Sequence, residues 1–94
     1  MHTLSLGDRE TATAHWEQSL AYAQAIEPES PADITPDASF SVLLGHGYLA
    51  IGRADSATLA AVLAAFHEQC KDSNRKEDAE LGISQLELVA ARYP

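Results

Sequence analysis

Residues 40–51 read Phe-Ser-Val-Leu-Leu-Gly-His-Gly-Tyr-Leu-Ala-Ile, and this stretch decides the fold. Its large apolar residues recur every three or four positions, which is the spacing of one face of an α-helix. Upstream, Thr35-Pro36 is typical of a helix start, with a capping side chain followed by proline in the first turn. The sequence therefore predicts a helix from there to about Ile51, with these side chains facing inward: Phe40, Leu43, Leu44, Tyr48 and Ile51.

Three further helices are predicted around this one, and no stretch indicates a strand. The first covers residues 8–26 and carries one apolar stripe. The third covers about residues 57–70, is started by Asp55 or Ser56, and is apolar nearly all round. The fourth ends near residue 92, with apolar positions at helical spacing at Ala79, Ile83, Leu86, Ala90 and Tyr93. The predicted fold class is therefore all-α.

An acidic, proline-rich segment separates the first two helices. Residues 27–37 read Glu-Pro-Glu-Ser-Pro-Ala-Asp-Ile-Thr-Pro-Asp. Three prolines in eleven residues forbid a continuous helix, because proline lacks the backbone N–H and clashes with the preceding turn. The segment is predicted to be an extended connector.

An internal repeat relates the two halves of the chain. Residues 7–12 align with residues 52–57, and the offset of 45 residues persists along the helices that follow. Between them, Leu44-Gly45-x-x-Tyr48 matches a signature of the tetratricopeptide repeat family, which the chain resembles. Further positions that match the family are Gly7, Ala12, Trp16, Gly52, Ala57 and Ala64. The family period is about 34 residues, which is about eleven fewer than the offset of 45. The eleven-residue connector therefore has the length of an insertion between repeats.

This resemblance implies antiparallel helix hairpins stacked as a short array of about four helices. Residues 1–94 would form a single domain. Within it, 1–26 would be a half repeat, 27–37 the insert, 38–71 a repeat and 74–92 a capping helix. Gly45 and Ala57 would let paired helices cross closely, while Trp16 and Tyr48 would fill the wedge between neighbouring pairs.

The resemblance also implies a partner-binding groove on the first helix of the repeat. Its register assigns to that groove Ser39, Val42, His46, Leu49 and Ala50. Family members that grip acidic tails use basic residues and asparagine there, so carboxylate clamping is disfavoured. The apolar strip suits an amphipathic helix or a second subunit. The alternative is that Val42 and Leu49 pack on the fourth helix.

Charge and composition restrict the partners further. Fourteen acidic and six basic residues give a net charge of −8, which repels nucleic acids and anionic membranes and favours a basic partner. The single cysteine excludes an internal disulfide framework and predicts a reducing, cytoplasmic location. No run approaches the roughly 20 apolar residues of a membrane span.

Catalytic, cofactor and metal sites are not predicted. His67 and Cys70 share a helix face, but a zinc site needs three or four ligands.

The predicted function is a non-catalytic adaptor with a helical groove. The alternative is a dimerisation or sensor subdomain of a larger bacterial regulator, and a metal-dependent enzyme is a distant third. Self-association is expected, because the helix that carries Trp16 lacks its usual partner in the chain.

Overall fold

The computed structural model describes residues 4–92, with side chains from residue 9 onward, and this part of the chain is a four-helix array without strands. The helices are α1 (Leu4–Ile26), α2 (Phe40–Gly52), α3 (Ser56–Gln69) and α4 (Lys76–Arg92). The all-α prediction is confirmed. Helix α1 starts four residues earlier than predicted, since Asp8 lies inside it. Tyr93, predicted on the inner face of the fourth helix, lies outside the described residues.

Helix α2 begins later than the sequence indicates. Ser39 is its N-cap, and its hydroxyl accepts a hydrogen bond from the Val42 backbone N–H at 3.2 Å. The predicted start at Thr35-Pro36 is wrong. The carbonyl of Pro36 instead accepts hydrogen bonds from Gln69 Nε2 at 2.9 Å and Arg75 Nη1 at 3.0 Å, so this segment belongs to the connector.

The connector is tied down along its length. Gln69 Nε2 also donates to the Ala38 carbonyl at 2.9 Å, and Gln24 Nε2 donates to the Ala32 carbonyl at 3.1 Å. His46 Nε2 lies 2.7 Å from the same Ala32 oxygen. The three prolines thus sit in a segment that side chains from α1, α2 and α3 hold in place.

Helix α3 starts as predicted, with Asp55 at the N-cap. The Asp55 carboxylate accepts hydrogen bonds from the Thr58 hydroxyl at 2.6 Å and from the Thr58 backbone N–H at 3.1 Å. These two bonds, the side-chain one first, lower the pKa of Asp55 below its ordinary value because they favour the ionised carboxylate.

The cap makes a small part of the stability depend on pH. Because the folded-state pKa of Asp55 lies below the unfolded one, its contribution is present at neutral pH and is lost as the pH falls through the folded-state pKa. We expect Asp55→Asn to lower the urea midpoint at about pH 7 and to matter less at about pH 3. Asp33→Asn, an exposed carboxylate in the connector, is the control. A midpoint difference that stays constant between the two pH values would contradict this account.

Helix α2 lies at the centre and packs on α1, α3 and α4, whereas α1 packs on α2 alone among the described helices. A Cβ at Gly45 would lie 3.0 Å from Leu20 Cδ1, and one at Gly47 would lie 2.5 Å from Leu86 Cδ2. The two glycines therefore let α1 and α4 approach α2 from different sides. The largest fully buried side chains are Phe66, Leu43, Leu86, Val42 and Val62.

The prediction for the small residues is confirmed only in part. Gly45 lies at the close approach of α1 to α2, as expected. Ala57 is exposed, so its predicted place at a helix crossing is wrong, and Ala64, which matches a small residue of the family pattern, is exposed as well. Helix α3 buries the other side of its surface, through Val62 and Phe66, and the alanines project away from it.

Candidate partner-binding surface

The groove predicted on α2 is not open. Val42, Leu49 and Ala50 are buried in the helical array, Ser39 serves as the N-cap of α2, and His46 is half-buried beside the Ala32 carbonyl. The prediction that these five residues line a free groove is therefore wrong. The tied connector and the neighbouring helices occupy the side of α2 that the repeat register leaves free.

The accessible side of α2 is the opposite one. Leu44 and Tyr48 each lie two residues from His46, which is about 200° around a helix. Both are half-buried: they pack against the hydrophobic core, as the sequence predicts, and part of each side chain remains accessible beside the exposed Ser41. This side of α2 lies between α1 and α4.

A chain of aromatic and polar contacts crosses this side. The Trp16 ring of α1 stacks on the Tyr48 ring, with centroids 5.3 Å apart and planes inclined by 24°. The Tyr48 hydroxyl donates to Gln85 Oε1 of α4 at 3.1 Å. Partial burial raises the pKa of Tyr48, so this donor keeps its proton across the physiological range. The three helices are thus joined across the open side.

Four large apolar side chains are exposed on the two helices that border this side. On α1, Tyr22 is 68% exposed and Ile26 57% exposed. On α4, Leu81 is 51% exposed and Leu88 71% exposed. The two leucines are seven positions apart, so they share one stripe, and Gln85 lies between them in the sequence and is hydrogen-bonded to Tyr48. We call this surface the open face and define it as Trp16, Tyr22, Ile26, Leu44, Tyr48, Leu81, Gln85 and Leu88.

A groove between α1 and α2 forms one part of the open face. Its volume is about 300 Å³, and its larger side chains are Tyr22, Ile26, Phe40 and Leu44. Gly45 lies at its floor, where the absence of a side chain lets Leu20 fill the space below. The lining is mostly apolar, so the groove is suited to apolar side chains and offers little to a charged ligand.

No protein-family model, curated protein or solved structure matches the chain. The geometry of the described residues is thus the basis for assigning a function. Within residues 4–92, no helix combines the length and the apolar character that crossing a bilayer requires.

His67 and Cys70 line a separate groove between α3 and α4, together with Glu80 and Glu87. Among the described residues, no three or more histidine, cysteine or carboxylate side chains are placed to share a metal ion. The groove therefore offers at most isolated ligands, and a protein site for zinc needs three or four.

Sequence patterns contained a signal for the open face that the prediction did not use. Tyr22 and Ile26 are four residues apart on α1, and Leu81 and Leu88 are seven apart on α4. Each pair forms an apolar stripe along its helix. The apolar spacing of the first helix places Ile26 on one stripe with Leu20, whereas the structure exposes Ile26, because no described helix other than α2 packs on α1.

Proposed function

We propose that the chain is a non-catalytic interaction module whose open face binds an amphipathic helix of another protein. One observation carries the proposal: the exposed Tyr22 and Ile26 line a groove with Leu44, and the exposed Leu81 and Leu88 share the stripe of α4 that contains Gln85, the partner of Tyr48. Isolated exposed apolar residues are ordinary, whereas a rimmed apolar surface is typical of an interaction site.

An amphipathic helix matches this surface in shape and chemistry. Such a helix presents apolar side chains three, four and seven residues apart, which is the spacing that a groove between two helices accepts. Burial of apolar surface contributes roughly 25 cal/mol per Å² before the costs of association. The aromatic side chains of Trp16, Tyr22 and Tyr48 are of the kind that dominate interface energetics.

The repeat resemblance gives this proposal limited support. Leu44, Gly45 and Tyr48 keep the family signature, and stacked helices would leave a face for a partner. The burial of Val42 and Leu49 runs against the register that the signature implies. Membership of the repeat family is therefore a proposal, and the open face does not depend on it.

A cytoplasmic location is likewise proposed, and the lone Cys70 supports it.

Charged substitutions on the open face test the proposal. The double variant Tyr22→Glu/Leu88→Glu should reduce capture of a specific partner from native lysate by more than about tenfold. The two added carboxylates would lose their hydration when the apolar side chains of the partner cover the surface. The matched control is Ala60→Glu/Ala64→Glu, which adds the same charge to the exposed side of α3. Equal capture by the wild type and the first variant, both with native circular dichroism, would refute the proposal.

A second candidate is a dimerisation subdomain of a larger regulator, favoured by the fact that α1 packs on a single helix among those that the structure describes. It predicts a dimer mass in light scattering at about 1–100 μM, reverting to a monomer with Tyr22→Glu/Leu88→Glu. A constant monomer mass across this range would eliminate self-association. The net charge of −8 on each copy opposes it, so we place it second.

A further inference from the structure

Ile26 lies at the junction of two cavities. On one side it lines the apolar groove between α1 and α2. On the other it lines a more polar cavity of about 600 Å³, formed by the connector, the start of α2 and Arg75 before α4. The apolar groove thus continues over Ile26 into a second depression of different chemistry.

This second cavity, which we call the acidic cavity, is lined by the carboxylates of Glu27, Glu29 and Asp37 and by one cation, Arg75. Arg75 Nη1 donates to the Pro36 carbonyl at 3.0 Å. The Glu27 carboxylate accepts a hydrogen bond from the Ser39 hydroxyl at 3.0 Å. Glu29 and Asp37 are exposed, and neither forms an ion pair within the described chain. The cavity therefore carries net negative charge, with two carboxylates available to a ligand.

We propose that the groove and the acidic cavity form one continuous site for an amphipathic helix whose apolar stripe ends in lysine or arginine. The apolar side chains would occupy the groove beside Tyr22, Ile26 and Leu44. The basic end would lie over the connector, near Glu29 and Asp37. This inference rests on the proposed function, because it specifies the partner helix that the open face binds.

Charge complementarity decides the class of occupant. A second copy of the chain would bring eight further negative charges to a face that ends in carboxylates. Lipid phosphates and nucleic acids would be repelled in the same way. Both parts of the site would contribute favourable binding free energy for a basic helix. Its apolar stripe would leave water in the groove, and its cations would lie near the carboxylates.

Two synthetic helical peptides of about 18 residues provide the test, with the same leucine stripe spaced for a groove. One ends in a block of lysines and the other in a block of glutamates, and neither contains tryptophan. Trp16 is the only tryptophan of the chain and lies half-buried against Tyr48, so its fluorescence reports binding at the open face. At low salt we expect the lysine peptide to bind at least about tenfold more tightly, and added salt should reduce the difference.

Matched charge variants locate the effect. Glu29→Lys should weaken binding of the lysine peptide about three- to fivefold, the range of one exposed ion pair. Glu10→Lys makes the same change of charge about 24 Å along α1 from Ile26, and it should alter the affinity for the lysine peptide less than about twofold. Ile26→Glu changes an exposed side chain at the junction, and should weaken both peptides.

The outcomes separate the two proposals. Equal affinity for both peptides, or equal effects of Glu29→Lys and Glu10→Lys, would overturn the assignment of a basic end and leave an apolar interaction face. Failure of the wild type to bind either peptide would contradict the amphipathic-helix function, and the basic end with it. A lysine preference that Glu29→Lys selectively weakens would support the continuous site.

Discussion

Phe66→Ala is expected to destabilise the protein by about 3–5 kcal/mol, the usual cost of removing a fully buried phenylalanine side chain. Phe66 is fully buried, and its ring lies 6.0 Å from the Phe40 ring at an angle of 56°. A Cβ at Gly82 would lie 2.7 Å from Phe66 Cζ, so the tip of the ring packs directly against α4 at this glycine. Truncation would leave a cavity between Phe40 of α2 and Gly82 of α4, and Gly82 has no side chain with which to fill it.

Urea unfolding monitored by circular dichroism measures this loss. Leu88→Ala is the control, because the side chain is 71% exposed and its removal should change stability by less than about 0.5 kcal/mol. If Phe66→Ala were to cost less than about 1.5 kcal/mol, the interior around it would not be packed as described.

Gln69→Leu is expected to cost about 1–3 kcal/mol and to loosen the connector. Gln69 is buried, and its Nε2 donates to the carbonyls of Pro36 and Ala38, both at 2.9 Å. Leucine has a similar volume but no donor. The Pro36 carbonyl would keep the hydrogen bond from Arg75, so the penalty would come mainly from the buried Ala38 carbonyl.

Two readouts identify the cause of this loss. The urea midpoint should fall, and limited proteolysis should cut residues 27–37 faster than in the wild type. Gln24→Leu removes an exposed hydrogen bond to the same connector and should have a smaller effect on both measurements. Wild-type proteolysis rates in Gln69→Leu would mean that this side chain does not hold the connector.

The helices could be predicted because their signals are local. The apolar spacing of residues 40–51 and the capping carboxylate of Asp55 lie within single helices, and the structure contains both features. The start of α2 was missed because its cap depends on distant residues. Ser39 is held by Glu27 and by the Ser30 hydroxyl, which accepts from its backbone N–H at 2.8 Å.

The side of α2 that forms the interaction surface could not be predicted from the same patterns. A periodic apolar stripe shows that one side of a helix is buried, but it does not show which neighbour covers it. On α2, apolar residues occur around the whole circumference, so the stripe did not distinguish the side of Val42 and Leu49 from that of Leu44. The choice depends on where α1, α4 and the connector pack, which is tertiary information.

The single attachment of α1 links the binding site to local unfolding. Arg9 donates from Nε and Nη2 to the carbonyls of Gly52 and Ile51, and Leu20 packs over Gly45. Among the described helices, α2 is therefore the one on which α1 docks. Half of the groove at Tyr22 and Ile26 belongs to this helix. A helix bound there would slow amide hydrogen exchange in α1 selectively. A change that undocks α1 would weaken the affinity in proportion to the fraction of molecules in which α1 stays docked.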